Sequence, residues 1–207
     1  MNVLSVDFDI IMAPDINLYN SMVGTSEDGS RSIEQRIKEN PILAGCRADL
    51  QHYQRMVSYI LQVTQNLQIK DIRISMNHED IKYMLNDMVD VHIFSIDHHH
   101  DLGYVQDETA EDECSCSNWG EYYLNKNIIT QFTWLNNTNS GSLPPHWEND
   151  PRTKVKLYQE TRLEELPYMD KLFLCLSPEW TPSMYHPLFY TILDLINSQK
   201  HCHLEVN

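Results

Sequence analysis

Four short apolar runs, at residues 3–6, 72–76, 91–96 and 172–176, constrain this chain more than any other feature. Each is apolar and partly β-branched, which suits buried strands. Residues 128–135 form a weaker fifth run. Between the first two runs, Leu50, Tyr53, Val57, Ile60, Thr64 and Leu67 recur at helical spacing and predict a helix over 50–67. A shorter helix is expected over 79–88, where Glu79 and Asp80 suit the positive end of its dipole, and another over 188–198. Strands alternating with helices imply an α/β fold, a three-layer αβα arrangement around a mainly parallel sheet. In such sheets, functional groups gather at the carboxyl ends of the strands.

At 207 residues with 42% apolar content, the chain suits one domain over 1–207. Residues 13–49, the acidic run 106–113 and the Asn-, Ser- and Pro-rich stretch 136–151 are expected to be loops. Long loops inside a compact domain often serve as lids or binding loops. No stretch approaches the roughly 20 apolar residues of a membrane span, and the start lacks a basic leader, so a cytoplasmic location without a membrane partner is expected. The five cysteines are odd in number, scattered and without C-x-x-C spacing, which argues against a disulfide framework or a thiolate zinc site. A formal net charge of −15 would repel nucleic acid and anionic lipid and favours a cationic partner, although acidic surfaces also serve solubility alone.

The chemistry concentrates in three places. Asp97-His98-His99-His100-Asp101 follows the run 91–96 directly. If the chain stays extended there, Asp97, His99 and Asp101 share one side, and His98 and His100 the other. Oxygen donors mixed with imidazole, and no thiolate, suit manganese, iron or zinc. Asp7 and Asp9 close the first strand on one face by the same period of two, and two acids so placed repel unless a cation lies between them. His78 follows the run 72–76; alone it reads as part of a helix start more readily than as a ligand. Together, four aspartates and two neutral histidines at adjacent strand ends carry a charge that two divalent cations balance. Two such ions about 3.5–4 Å apart are suited to activating water.

These motifs resemble those of the ureohydrolase superfamily, the arginases and agmatinases. Ser5-x-Asp7-x-Asp9 and Asp97-x-His99-x-Asp101, with His78 ahead of the latter, are similar to its binuclear manganese signature. The order is permuted, because the S-x-D-x-D element usually comes second. Ser177-Pro178-Glu179-Trp180-Thr181-Pro182, after the run 172–176, resembles the turn whose glutamate holds a guanidinium group. A carboxylate can accept two parallel hydrogen bonds from guanidinium, although Glu179 also reads as an ordinary loop acid. The nearest likeness is to small peptide arginases, which convert arginine to ornithine within a precursor peptide.

The resemblance implies an arginase-like fold, two Mn2+ ions and an arginine-containing peptide as partner. Asp7 and Asp97 would bridge both ions, His78 and Asp101 would complete one site, and His99 and Asp9 the other. Asp101, Glu179 and His100 are then the catalytic candidates, while Glu179, Asn118, Trp119 and Trp180 are the candidates for substrate contact. The segment 116–120 also reads as a plain helix start. Gly103 stands where free-arginine enzymes carry an asparagine, which points to a substrate held in a peptide. Two other readings stay open: a phosphoesterase with an Asp-His-His motif, and a metal-containing protein that binds arginine peptides without cleaving them. The sequence carries no signal of oligomeric state.

Overall fold

A computed structural model describes residues 1–12, 33–39, 45, 47–65, 69, 71–103, 114–138, 140–162 and 165–204. Six strands are present: β1 (Asn2–Asp7), β2 (Asp71–Ser75), β3 (Val91–Ile96), β4 (Ile129–Asn136), β5 (Thr153–Leu157) and β6 (Lys171–Cys175). They form one parallel sheet in the order β2-β6-β1-β3-β4-β5. The helices are α1 (Ile33–Glu39), α2 (Leu50–Gln65), α3 (Lys82–Leu85), α4 (Trp119–Asn125), α5 (Pro145–Glu148) and α6 (His186–Leu204).

The side-chain alternation of each strand feeds two separate cores, one on each face. Leu4, Val6, Phe94, Ile96, Leu172 and Leu174 meet α2 and α6 through Met56, Ile60, Phe189 and Ile192. Val3, Ile93, Phe132, Trp134, Phe173 and Cys175 meet α3 and α4 through Leu85, Trp119, Tyr123 and Leu124. The three-layer α/β arrangement expected from the apolar runs is therefore observed, and the sheet is parallel throughout.

From β1 the chain moves to β2, beyond β6, and from β3 it moves the other way to β4. Strand order thus reverses between β1 and β3, the place where open α/β sheets hold their ligands. The register pairs Val6 with Ile96, so the next residues, Asp7 and Asp97, stand side by side.

The periodicity misses some elements. β5 is an edge strand whose Lys154, Val155 and Lys156 are exposed, so it never presents the apolar run that marks a buried strand. α1 lies inside the expected loop 13–49, and α5 inside the expected loop 136–151. Most of 13–49 and all of 106–113 lie outside the described residues. The helix expected over 79–88 is a 3-10 turn, His78–Ile81, running into α3. α6 extends beyond 188–198 at both ends. No helix among the described residues is long and apolar enough to cross a membrane.

Candidate metal centre

After Asp7 the backbone does not stay extended but turns into a 3-10 helix, Phe8–Ile11. The Asp7 carboxylate caps that turn by accepting the Asp9 N–H at 3.3 Å. Asp9 therefore reaches the same site by a helical turn rather than by the period of two. The segment after β3 bends as well, and Asp101 takes a left-handed backbone (φ 52°). Asp97, His99 and Asp101 converge all the same. His78 comes from farther away, at the end of the edge strand β2, and stacks on Phe173 of β6 with ring centroids 5.7 Å apart. The buried strand β6 thus forms the floor across which His78 meets Asp7.

Two groups of ligand atoms result, Asp7–His78–Asp97 and Asp9–Asp97–His99. His78 Nδ1 lies 3.1 Å from Asp7 Oδ2, 3.2 Å from Asp97 Oδ2 and 3.0 Å from Asp101 Oδ2. His99 Nδ1 lies 2.8 Å from Asp9 Oδ2 and 3.8 Å from Asp97 Oδ1. Asp97, wholly buried between them, turns one oxygen towards each imidazole. His78 Nδ1, Asp97 Oδ2 and Asp9 Oδ2 are buried, yet none has a partner aligned as a hydrogen bond. Close approach without hydrogen-bond geometry is what a set of ligands aimed at a common ion presents.

Electrostatics agree with that geometry. Burial, followed by repulsion from Asp101, Asp9 and Asp7, holds the Asp97 carboxyl well above the usual carboxylate range. Burial and the charge of Asp9 raise Asp7 as well. Burial works to lower the pKa of His78, but the charge of Asp101 and the contacts to Asp101, Asp7 and Asp97 raise it well above the ordinary imidazole value. The cluster is short of positive charge, and a cation would supply it. These buried Asp and His groups can hold a metal ion. Their donors are oxygen and imidazole nitrogen, a set suited to manganese, iron or zinc.

A surrounding shell orients the ligands, as metal sites require. Ser5 Oγ lies 2.8 Å from His78 Nε2, which leaves Nδ1 turned to the carboxylates. Ser177 donates its hydroxyl to Asp7 Oδ2 at 2.6 Å, and the Trp119 indole donates to Asp101 Oδ2 at 2.7 Å. Trp134 donates to the Asp97 carbonyl at 2.9 Å. Ser177, like Asp101, adopts a left-handed backbone (φ 45°), a conformation that costs a residue with a side chain and clusters at functional sites. Sequence reasoning gave Trp134 and Asn137 no role. Their contacts cross from β4 to the loop after β3 and leave no spacing signal.

The remaining candidates are placed as follows. Trp180 packs at a tilt against His99, ring centroids 4.6 Å apart, on the turn that also carries Ser177 and Glu179. Glu179 lies near enough to Cys116 that, after burial and the charge of Asp101, it helps push that thiol up to about 12. Asn118 is buried and closes its own turn by accepting the Ser115 N–H at 2.7 Å. Trp119 is fully buried and donates its indole N–H to Asp101. His100 accepts the Leu102 N–H at 3.0 Å and packs on Trp134. Burial lowers its pKa to about 4, so it is neutral at pH 7 and a poor general acid there.

Gly120 offers a test of how tightly this shell is fitted. A Cβ there would lie 2.8 Å from Leu102 Cδ2 and 3.0 Å from both the Asp101 carbonyl oxygen and the Phe132 ring. Helix propensity favours alanine over glycine by about 1 kcal/mol, whereas overpacking a fitted core costs about 1–3 kcal/mol. Gly120→Ala is expected to lower Tm by several degrees and to weaken the response to divalent metal, because Asp101 must move. Thermal denaturation with and without metal measures both, and a rise in Tm would show that the site is not tightly packed.

No protein-family model, curated protein or solved structure matches this chain.

Proposed function

We propose that this chain is a binuclear metal-dependent hydrolase that converts arginine side chains in a peptide to ornithine with release of urea. The observation that carries the reading is the pair of ligand groups sharing Asp97, with an oxygen of that residue turned to each. Four carboxylates and two neutral imidazoles balance two divalent cations in charge, and the hard, thiolate-free donor set favours Mn2+. Asp7, His78, Asp97 and Asp101 would hold one ion, and Asp9, Asp97 and His99 the other. The ions would supply Lewis acidity, lowering the pKa of water and stabilising developing charge.

The protein's own groups do the rest. Glu179, on the turn that follows β6, would accept two hydrogen bonds from the guanidinium and fix its plane. The Trp180 ring beside His99 offers a flat wall for that planar cation. Ser5, Ser177 and Trp119 keep His78, Asp7 and Asp101 aimed and so hold the reacting geometry. In the reaction, water adds to the guanidinium carbon, the bond to the side-chain nitrogen breaks and that nitrogen gains a proton. The products are ornithine and urea. Gly103 leaves no side chain to address the amino-acid end of a free substrate, and the net charge of −15 attracts a peptide bearing arginine.

Mass spectrometry of an arginine peptide incubated with the manganese-loaded protein tests the reading, beside a urea assay on free arginine. The expected result is a loss of about 42 Da per arginine, the CH2N2 removed when water attacks the guanidinium carbon, with free arginine cleaved poorly. Efficient cleavage of free arginine alone would overturn the peptide assignment. Peptide binding without a mass change would indicate a metal-containing binder, and phosphate release from phosphoesters a phosphoesterase.

A further inference from the structure

A second polar corner lies beside the carboxyl ends of β4 and β5, outside the metal ligands. Arg55 and Tyr59 are one turn apart on α2 and so share a face. Tyr158 follows β5, and the Arg55 guanidinium carbon stands 5.3 Å from its ring centroid. Tyr59 and Tyr158 belong to one buried cluster on this face of the sheet. Tyr59 and Tyr158 are 2% and 0% exposed, yet neither hydroxyl has a hydrogen-bond partner. Arg55 donates one guanidinium N–H to the Thr161 carbonyl, while its buried Nε has no partner. Among the described residues no carboxylate pairs with it, in a chain with 30 acidic residues to 15 basic ones.

Buried hydroxyls and guanidinium groups without partners are rare because each costs free energy that a hydrogen bond would recover. The ring of Tyr158 satisfies part of the Arg55 charge through its π face, but a ring face accepts nothing from Nε or from the second phenol. His52, whose ring centroid is 6.1 Å from that of Tyr158, already faces Asp49 at 3.7 Å. Burial raises the pKa of both phenols, so both remain O–H donors. The corner therefore offers one fixed positive charge and several donors, and among the described residues no acid pairs with Arg55.

We propose that Arg55, Tyr59 and Tyr158 form a binding site for a single carboxylate group. One guanidinium and two neutral hydroxyls match a monoanion with two acceptor oxygens. A dianion such as phosphate would bring a second charge that only one cation meets, in a strongly acidic protein. The site is tied to the metal centre through β4: Tyr158 N donates to the Asn136 carbonyl at 2.6 Å, and the next residue, Asn137, holds His98 at 3.1 Å. The carboxylate is either a free small acid or one carried by a peptide that also reaches the metal centre.

The test is calorimetry and thermal denaturation of the full chain in acetate against chloride at matched ionic strength. A second arm compares an arginine peptide ending in a free carboxylate with the same peptide ending in an amide. Acetate or the acid peptide is expected to bind and raise Tm where chloride or the amide does not. A response to acetate identifies a free acid as sufficient, and a response to the acid peptide alone assigns the carboxylate to a peptide. Y59F and Y158F remove only the hydroxyls and leave the metal ligands untouched. In chloride each should keep or raise Tm, and each should weaken carboxylate binding about tenfold, the worth of one hydrogen bond to a charged group. R55Q should abolish binding. No response to either carboxylate, a response to phosphate without one to acetate, or wild-type binding in all three variants would overturn the site. A lower Tm for Y59F and Y158F in chloride would also overturn it, since the hydroxyls would then serve the fold alone.

Discussion

Asp97→Asn is expected to abolish the response to divalent metal while leaving the metal-free protein at least as stable as the wild type. The two halves of this result come from one fact, that Asp97 is a wholly buried acid surrounded by Asp101, Asp9 and Asp7. Without a cation, burial and that repulsion favour its neutral form, which asparagine imitates in shape and charge. Asparagine also keeps an oxygen to accept the His99 N–H, which Asp97 Oδ1 does at 2.8 Å. The Trp134 bond goes to the backbone and is untouched. With metal, the comparison reverses, since the substitution removes the one ligand common to both groups. Affinity should fall at least about a hundredfold, more than for loss of an outer-shell partner. A ligand at a thousand times its Kd adds about 4 kcal/mol to stability, or about 10 °C in Tm for a chain of this size. The wild type should show a rise of that order with Mn2+ and D97N none, with hydrolysis lost in parallel. Elemental analysis beside thermal denaturation reads both. Full metal occupancy in D97N, or none in the wild type, would sink the centre.

The legibility of such a site follows from how each ligand is delivered. Asp7 ends β1 and Asp97, His99 and Asp101 lie within five residues of the end of β3; the apolar runs of both strands are visible in the sequence, and parallel pairing sets neighbouring strand ends level. His78 was harder to read, because it ends an edge strand and must pass over β6 to arrive. Only the whole strand order makes it a neighbour of Asp7. The period of two predicts Asp9 at the site through an extended strand, whereas a 3-10 turn brings it in. The shell was less legible still. Trp119 reads as pocket lining from the segment 116–120, but α4 packs it into the core, where its indole reaches Asp101. Edge strand β5 and the corner at Arg55, Tyr59 and Tyr158 left no signal, because the first is largely exposed and the second joins residues about a hundred positions apart.

Glu179→Gln should leave metal content and Tm close to those of the wild type while kcat/KM for an arginine peptide falls on the order of a hundredfold. The selectivity of this effect rests on position. Glu179 belongs to neither ligand group, and the turn that carries it is held by other means: Ser177 accepts the Trp180 and Thr181 N–H groups at 3.0 Å each. Ser177 also fixes the turn to Asp7, and Trp180 packs against His99. Those contacts of Ser177 and Trp180 do not pass through the Glu179 carboxylate. On the proposed function the loss falls on the substrate, because glutamine offers one acceptor oxygen and an NH2 that points donors at a group made only of donors. A charge-assisted bidentate pair becomes a single neutral hydrogen bond beside an unmet N–H contact, a difference of about 3 kcal/mol, which is the hundredfold. The same logic orders a series. Glu179→Asp keeps the charge but shortens the reach, so it should recover part of the rate, whereas Glu179→Gln keeps the length and should not. If the guanidinium is held equally in ground and transition states, the loss appears in KM; if the plane is fixed only as the carbon is attacked, it appears in kcat. Steady-state kinetics beside metal analysis separate these cases. Unchanged kcat/KM in Glu179→Gln would return Glu179 to the role of an ordinary loop acid, and lost metal would make it part of the centre.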